Sequence, residues 1–122
     1  MRIDRQALGR AAEDAAAEFL VARGLTLLTR NHRCRLGEID IVATLPPDLL
    51  ILAEVRLRSR PERGDGAASV HAHKRLRLRH AARHLLMVRP ALARLRMRFD
   101  VLDLRPSGAG YEIRWITDAF RT

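Results

Sequence analysis

Three carboxylates, Glu38, Asp40 and Glu54, stand in and around two apolar runs, GEIDIVATL and LLILAEVRL. An unpaired carboxylate is costly to bury, so acids in such company are paired, hydrogen-bonded or bound to a cation. Side chains alternate along a strand, which puts Glu38 and Asp40 on one face of the first run and Glu54 and Arg56 on one face of the second. Prolines in the connecting Leu45-Pro46-Pro47-Asp48 forbid continued pairing there. If Pro46, Pro47 and Asp48 form a three-residue loop, Leu45 pairs with Leu49 and Asp40 falls opposite Glu54. A two-residue loop slips the register and sends the two acids to opposite faces. In the first register the carboxylates repel unless a proton or a cation lies between them. Mg²⁺ (or Mn²⁺) suits such a pair, since it takes one or two carboxylates with waters and phosphate oxygens and activates water against a phosphodiester. Arg56 would then hold the phosphate. Without a metal, an ion-pair network with Arg56 and Arg58 would satisfy the same acids.

The elements that must position these groups follow from periodicity. Leu8, Ala12, Ala15, Ala16 and Phe19 recur at helical spacing within residues 5–23, with Asp4 as N-cap and Gly24 just past the end. Glu13 lies on the edge of that apolar face. Residues 25–33 read as a strand, and residues 38–44 and 49–57 as a hairpin. Residues 58–69, rich in glycine and mixed charge, read as a loop long enough to be mobile or functional. A second helix is expected from about residue 72 to 89. It carries Leu78, Ala81, Ala82 and Leu85 on one face and Arg75, Arg79 and Arg83 four apart on another, and Pro90 ends it. Residues 96–104 and 111–120 are strands around a PSGAG turn. Helix, three strands, helix and two strands predict one α/β domain over residues 1–122, its helices packed on a mixed sheet.

Length and composition bound the partners. A chain of 122 residues suits one domain with a core of its own. Basic residues number 23 against 14 acids, for a net charge of +9, and all but Lys74 are arginine. Such an excess favours a polyanion, and the guanidinium fork suits phosphate. Only 4% of residues are aromatic, which argues against a surface that stacks bases. The single Cys34 cannot form an intrachain disulfide. No run is apolar enough for a membrane span or signal peptide, so the expectation is a cytoplasmic protein without membrane contact. Lys74, Arg75, Arg79 and Arg83 are the candidate grip on a nucleic-acid backbone, although a solvated helix face looks the same. His80 and His84 have i,i+4 spacing but lack the third ligand and glutamate of a zinc-protease helix.

Gly37-Glu38-Ile39-Asp40, Glu54-Val55-Arg56, Lys74 after a Gly-Ala loop, Arg98-Phe99-Asp100-Val101 and Trp115-Ile116-Thr117-Asp118-Ala119-Phe120 occur in that order. Together they resemble the YraN family of bacterial proteins over nearly the whole chain. That family is assigned to the restriction-endonuclease-like superfamily, whose αβββαβ core agrees with the elements above, and is similar to archaeal Holliday-junction resolvases. The resemblance implies a metal-dependent nuclease hydrolysing phosphodiester bonds in structured or branched DNA. By it, Asp40 and Glu54 are the metal ligands with the Val55 carbonyl as a third, Arg56 takes the superfamily's lysine position, and Glu13 matches the glutamate that resolvase-like members add. Arginine stays protonated, so Arg56 can bind phosphate but cannot act as a general base. Resolvase-like relatives act as dimers on a symmetric junction, which extends the expected partners to a second copy of the chain. The alternative is a non-catalytic nucleic-acid-binding module on the same fold, with salt-dependent binding and no cleavage.

Overall fold

The computed structural model describes residues 5–58 and 68–121. Its elements run α1 (Arg5–Ala22), β1 (Thr26–Cys34), β2 (Gly37–Leu45), β3 (Leu49–Leu57), α2 (Ala68–Val88), a 3₁₀ turn (Pro90–Arg94), β4 (Arg96–Ser107) and β5 (Gly110–Phe120). The expected cap Asp4 and most of the 58–69 loop lie outside the described residues. The strands form one sheet in the order β1-β2-β3-β4-β5, antiparallel except for the parallel β3–β4 pair reached through the α2 crossover. The α/β architecture implied by the order of elements is therefore present, and it is consistent with a restriction-endonuclease-like core.

Each helix covers one face. Ala12, Ala16, Ala17 and Leu20 of α1 pack on Ile41, Ala43, Ile51, Ala53, Leu102 and Leu104. Leu78, Ala81, Ala82 and Leu85 of α2 pack on the opposite face, against Ile39, Val42, Leu50, Leu52 and Phe99. The central strand β3 is thus buried on both sides from Leu49 to Ala53, which explains why it reads as a continuous apolar run rather than an alternating one. The alanines of α1 have little side chain to interpose, so this helix can approach the sheet closely.

Three expectations need correction. Leu8 is exposed rather than buried. Residues 6–11 all face solvent, and α1 meets the sheet only from Ala12 onward. The second helix starts at Ala68, four residues before Ala72, and after Val88 the chain tightens into the 3₁₀ turn, where Pro90 at the start needs no N–H partner. β4 continues through Pro106 to Ser107. The last β3 pair is Leu57↔Leu104, so the missing proline N–H interrupts no ladder on that side.

Candidate functional site

The hairpin takes the three-residue-loop register, with pairs running from Leu45↔Leu49 to Ile41↔Ala53. Asp40 and Glu54 occupy the next rung, and there the ladder stops. The β1–β2 ladder skips the same place: Arg30↔Ile41 and His32↔Ile39 pair, while Asn31, held at a left-handed φ of 54°, and Asp40 do not. Ile39 belongs to the α2-side cluster and Ile41 to the α1-side cluster. Strict alternation would place both on one face, so β2 turns over at Asp40. With pairing ended, the Val55 N–H donates to Asp40 Oδ2 at 2.8 Å.

Asp40 therefore lines pockets on both sides of the split. One, of about 500 Å³, lies toward α1 with Arg10, Glu13, Asn31 and Arg33 on its walls. The other, of about 290 Å³, lies toward α2 between Asp40, Glu54, Lys74 and Arg77. Burial is the main force that pushes the Asp40 carboxyl up to about 6; the Val55 N–H opposes it, and the charges of Glu13, Glu54 and Glu38 add to it. Glu54, whose side chain is 14% exposed, forms an ion pair with Lys74, whose Nζ stands 2.9 Å from Oε1. Its Oε2 is buried with no hydrogen-bond partner. Arg56 Nε stands 3.9 Å from Oε2, an ion-pair distance too long for a hydrogen bond. Glu13 Oε1 receives Arg30 Nε at 3.1 Å and Asn31 Nδ2 at 2.9 Å, so the left-handed turn at Asn31 aims its amide at α1.

The helix that carries Lys74 is seated by Gly37. A Cβ at that position would overlap the Arg77 carbonyl, so only glycine lets β2 and α2 touch backbone to backbone. One helical turn before Arg77, on the same side of α2, comes Lys74, which lands on Glu54.

The sequence model of the uncharacterised protein family UPF0102 matches residues 12–104, a span that contains every acid of the site and Lys74. The chain belongs to UPF0102, the YraN family. It is 42% identical over 115 residues to the UPF0102 protein of Methylococcus capsulatus, covering 94% of this chain and 91% of that one. It is 45% identical over 117 residues to that of Xanthomonas axonopodis pv. citri, covering 96% and 93%. Against that of Desulforamulus reducens it is 36% identical over 121 residues, covering 98% and 99%.

In this UPF0102 chain Glu13, Asp40, Glu54 and Lys74 come together, with Arg56 at the margin. Glu13 pairs with Arg30 and faces the Asp40 pocket. The four residues of the basic stripe do not line one pocket. Arg75 lies 5.4 Å over the Phe120 ring in a third pocket, of about 150 Å³, with Arg56. Arg79 and Arg83 are exposed farther along α2 and line none of the three pockets. Arg77, Arg10 and Arg33 were missed by sequence reasoning. Only the i+3 spacing of Arg77 from Lys74 could have signalled one of them. Arg58, proposed as a partner for the site acids, binds Asp103 at 2.7 Å instead. His84 contacts His32 at 3.0 Å rather than forming a pair with His80. Asp100 is a structural knot, bonded by Arg98 at 2.8 Å through two nitrogens, by Trp115 Nε1 at 2.9 Å and by the Asp118 N–H at 2.9 Å. Among the described residues no three His, Cys, Asp or Glu side chains gather as a complete metal cage, and no helix is long and apolar enough to cross a membrane.

Proposed function

We propose that this protein is a metal-dependent nuclease that hydrolyses phosphodiester bonds in structured or branched DNA. The observation that carries the reading is the buried Glu54 Oε2, which lacks a hydrogen-bond partner, beside Asp40, an acid pushed up to about 6. Two carboxylates lining one pocket with Lys74 and Arg77 are a donor set for a hard, oxygen-seeking cation such as Mg²⁺ or Mn²⁺. Such an ion, when bound by Asp40 and Glu54, supplies positive charge against the phosphate and activates a water for in-line attack.

The chain's own residues supply the rest. Val55, through its N–H, fixes the Asp40 carboxylate so that its oxygens do not swing away from Glu54. Glu13, itself fixed by Arg30 and Asn31, adds negative charge on the α1 side and strengthens the site's demand for a cation. Arg10 and Arg33 on one side of the split, and Lys74, Arg77, Arg75 and Arg56 on the other, offer hydrogen bonds to a phosphate backbone that crosses the acids. Arg79 and Arg83 extend that positive surface along α2.

Cleavage of duplex, single-stranded, flap and four-way-junction DNA with Mg²⁺ or Mn²⁺ tests the reading. Cutting should vanish in Asp40→Ala and in Glu54→Ala, and activity that survives either change sinks it. The Lys74–Glu54 ion pair favours one second reading, a non-catalytic nucleic-acid-binding module whose acids are neutralised internally. That module would bind DNA with a steep salt dependence, cut nothing, and keep its affinity when the metal is chelated.

A further inference from the structure

We propose that Lys74 of α2, rather than Arg56 of β3, is the catalytic cation that contacts the attacking water and the scissile phosphate; the inference rests on the nuclease reading. The chain has 23 basic residues and Lys74 is its one lysine. Two cations approach Glu54, and they differ in what they share with it. Lys74 Nζ is ion-paired with Oε1 at 2.9 Å and lines the pocket that also holds Asp40 and Val55. Arg56 stands 3.9 Å from Oε2 and lines a neighbouring pocket that it shares with Glu54, Lys74, Val101, Ile116 and Phe120 but not with Asp40. Lys74 alone of the two faces both carboxylates in one cavity.

The chemistry of the two side chains points the same way. An ammonium has three donors in a compact tetrahedral head, so the ion pair with Glu54 Oε1 leaves donors for other oxygens. The Lys74 side chain is 46% exposed, so those donors are open to a water and to a non-bridging phosphate oxygen entering from solvent. Glu54 then divides its labour. Oε1 aims the ammonium, and Oε2, which lacks a hydrogen-bond partner, is left for the cation shared with Asp40. In the hydrolytic step the water oxygen bonds to phosphorus as the bond from phosphorus to one sugar oxygen breaks. Lys74 steadies the charge that builds on the attacking oxygen and the phosphate. The water's proton leaves to solvent, and the departing sugar oxygen takes a proton from solvent. Arg56, in the adjoining pocket, holds the DNA backbone beside the cut.

A purely structural Lys74 would only neutralise Glu54, and kinetics separate the two roles. The full chain and its K74M, K74R, K74A, R56M and D40A variants are assayed on labelled four-way-junction and flap DNA with Mn²⁺, with kcat and KM measured separately and folding checked by circular dichroism. In K74M the expected kcat falls about a hundredfold or more while KM stays within about threefold, the pattern of a contact made in the transition state. K74R should not restore kcat, because its planar fork cannot reproduce the tetrahedral head. Added ethylamine should restore part of the rate of K74A, and R56M should raise KM. If D40A abolishes cutting while K74M retains kcat, the role of Lys74 is overturned and the nuclease reading stands. Full activity in K74R, or no rescue of a folded K74A by amine, also overturns it. A wild-type protein that cuts none of these DNAs, or cutting that survives D40A, overturns both.

Discussion

Replacing Asp40 with Asn should stabilise the metal-free protein at neutral pH, an unusual direction for a change at a partly buried site. Burial and the charges of Glu13, Glu54 and Glu38 push this carboxyl from its ordinary 3.8 to about 6. Keeping it ionised in the folded chain therefore costs about 2–3 kcal/mol, at roughly 1.4 kcal/mol for each pH unit of displacement. Below about pH 3.8 the acid is protonated folded or unfolded, and the penalty is absent. As pH rises from there to about 6 the unfolded chain releases its proton first, so stability falls, and above about 6 the full penalty persists. Asparagine keeps an oxygen to accept the Val55 N–H and removes only the charge. Urea unfolding in the presence of a chelator, followed by fluorescence of the single tryptophan, Trp115, measures the difference. Asp40→Asn should exceed wild type by about 2–3 kcal/mol at neutral pH, and the gap should close through the window from 6 to 3.8. Mn²⁺ should then raise the wild type by mass action and leave the variant unmoved. A variant no more stable than wild type at neutral pH, or a gap that ignores pH, would refute the reasoning, since the charge of Asp40 would already be compensated.

Other outcomes follow from contacts elsewhere. Asp100→Ala strips the acceptor from Arg98, Trp115 and the Asp118 N–H at a side chain with no exposure, and should lower stability by about 3–5 kcal/mol in urea, with Asp100→Asn losing less. Gly37→Ala drives a methyl into the Arg77 carbonyl. It should cost about 1–3 kcal/mol and speed amide exchange along α2 as the helix backs away from β2. Burial, then the charge of His84, hold His32 below its ordinary 6.5, so the unfolded chain takes up a proton that the folded one resists and stability drops as pH falls through 6.5. His32→Gln should flatten that drop, measured in the Asp40→Asn background where the opposing slope of Asp40 is gone.

Much of this arrangement was legible because local rules governed it. The Pro-Pro-Asp loop determined the hairpin register, and with it the meeting of Asp40 and Glu54. The apolar stripe at Leu78, Ala81, Ala82 and Leu85 correctly predicted the buried face of α2. What stayed hidden depended on breaks in period or on docking. Alternation gave no warning that β2 turns over at Asp40, because the cause is a left-handed residue on the neighbouring strand, Asn31. Of the two arginines expected to pair with Glu54, Arg56 does so at 3.9 Å, while Arg58 goes to Asp103. The closer partner, Lys74, arrives across a crossover, and its position is set by a glycine contact that no charge pattern encodes. Leu8 fit the helical period, but period does not say where the sheet ends.

The seating of α2 on Gly37 also orders events in time. The two acids are brought together by adjacent strands of a hairpin, a local closure that a folding chain completes early, whereas the parallel β3–β4 pairing needs the whole crossover and forms more slowly. Between those events the acids face each other without their ammonium, and like charges push the open end of the hairpin apart. Docking of α2 sets an ammonium against Glu54 and so offsets part of that repulsion, although Glu54 still adds to the upward push on Asp40. A chain whose α2 has not docked thus carries the acids without the lysine, and the site is whole only once α2 is seated on Gly37.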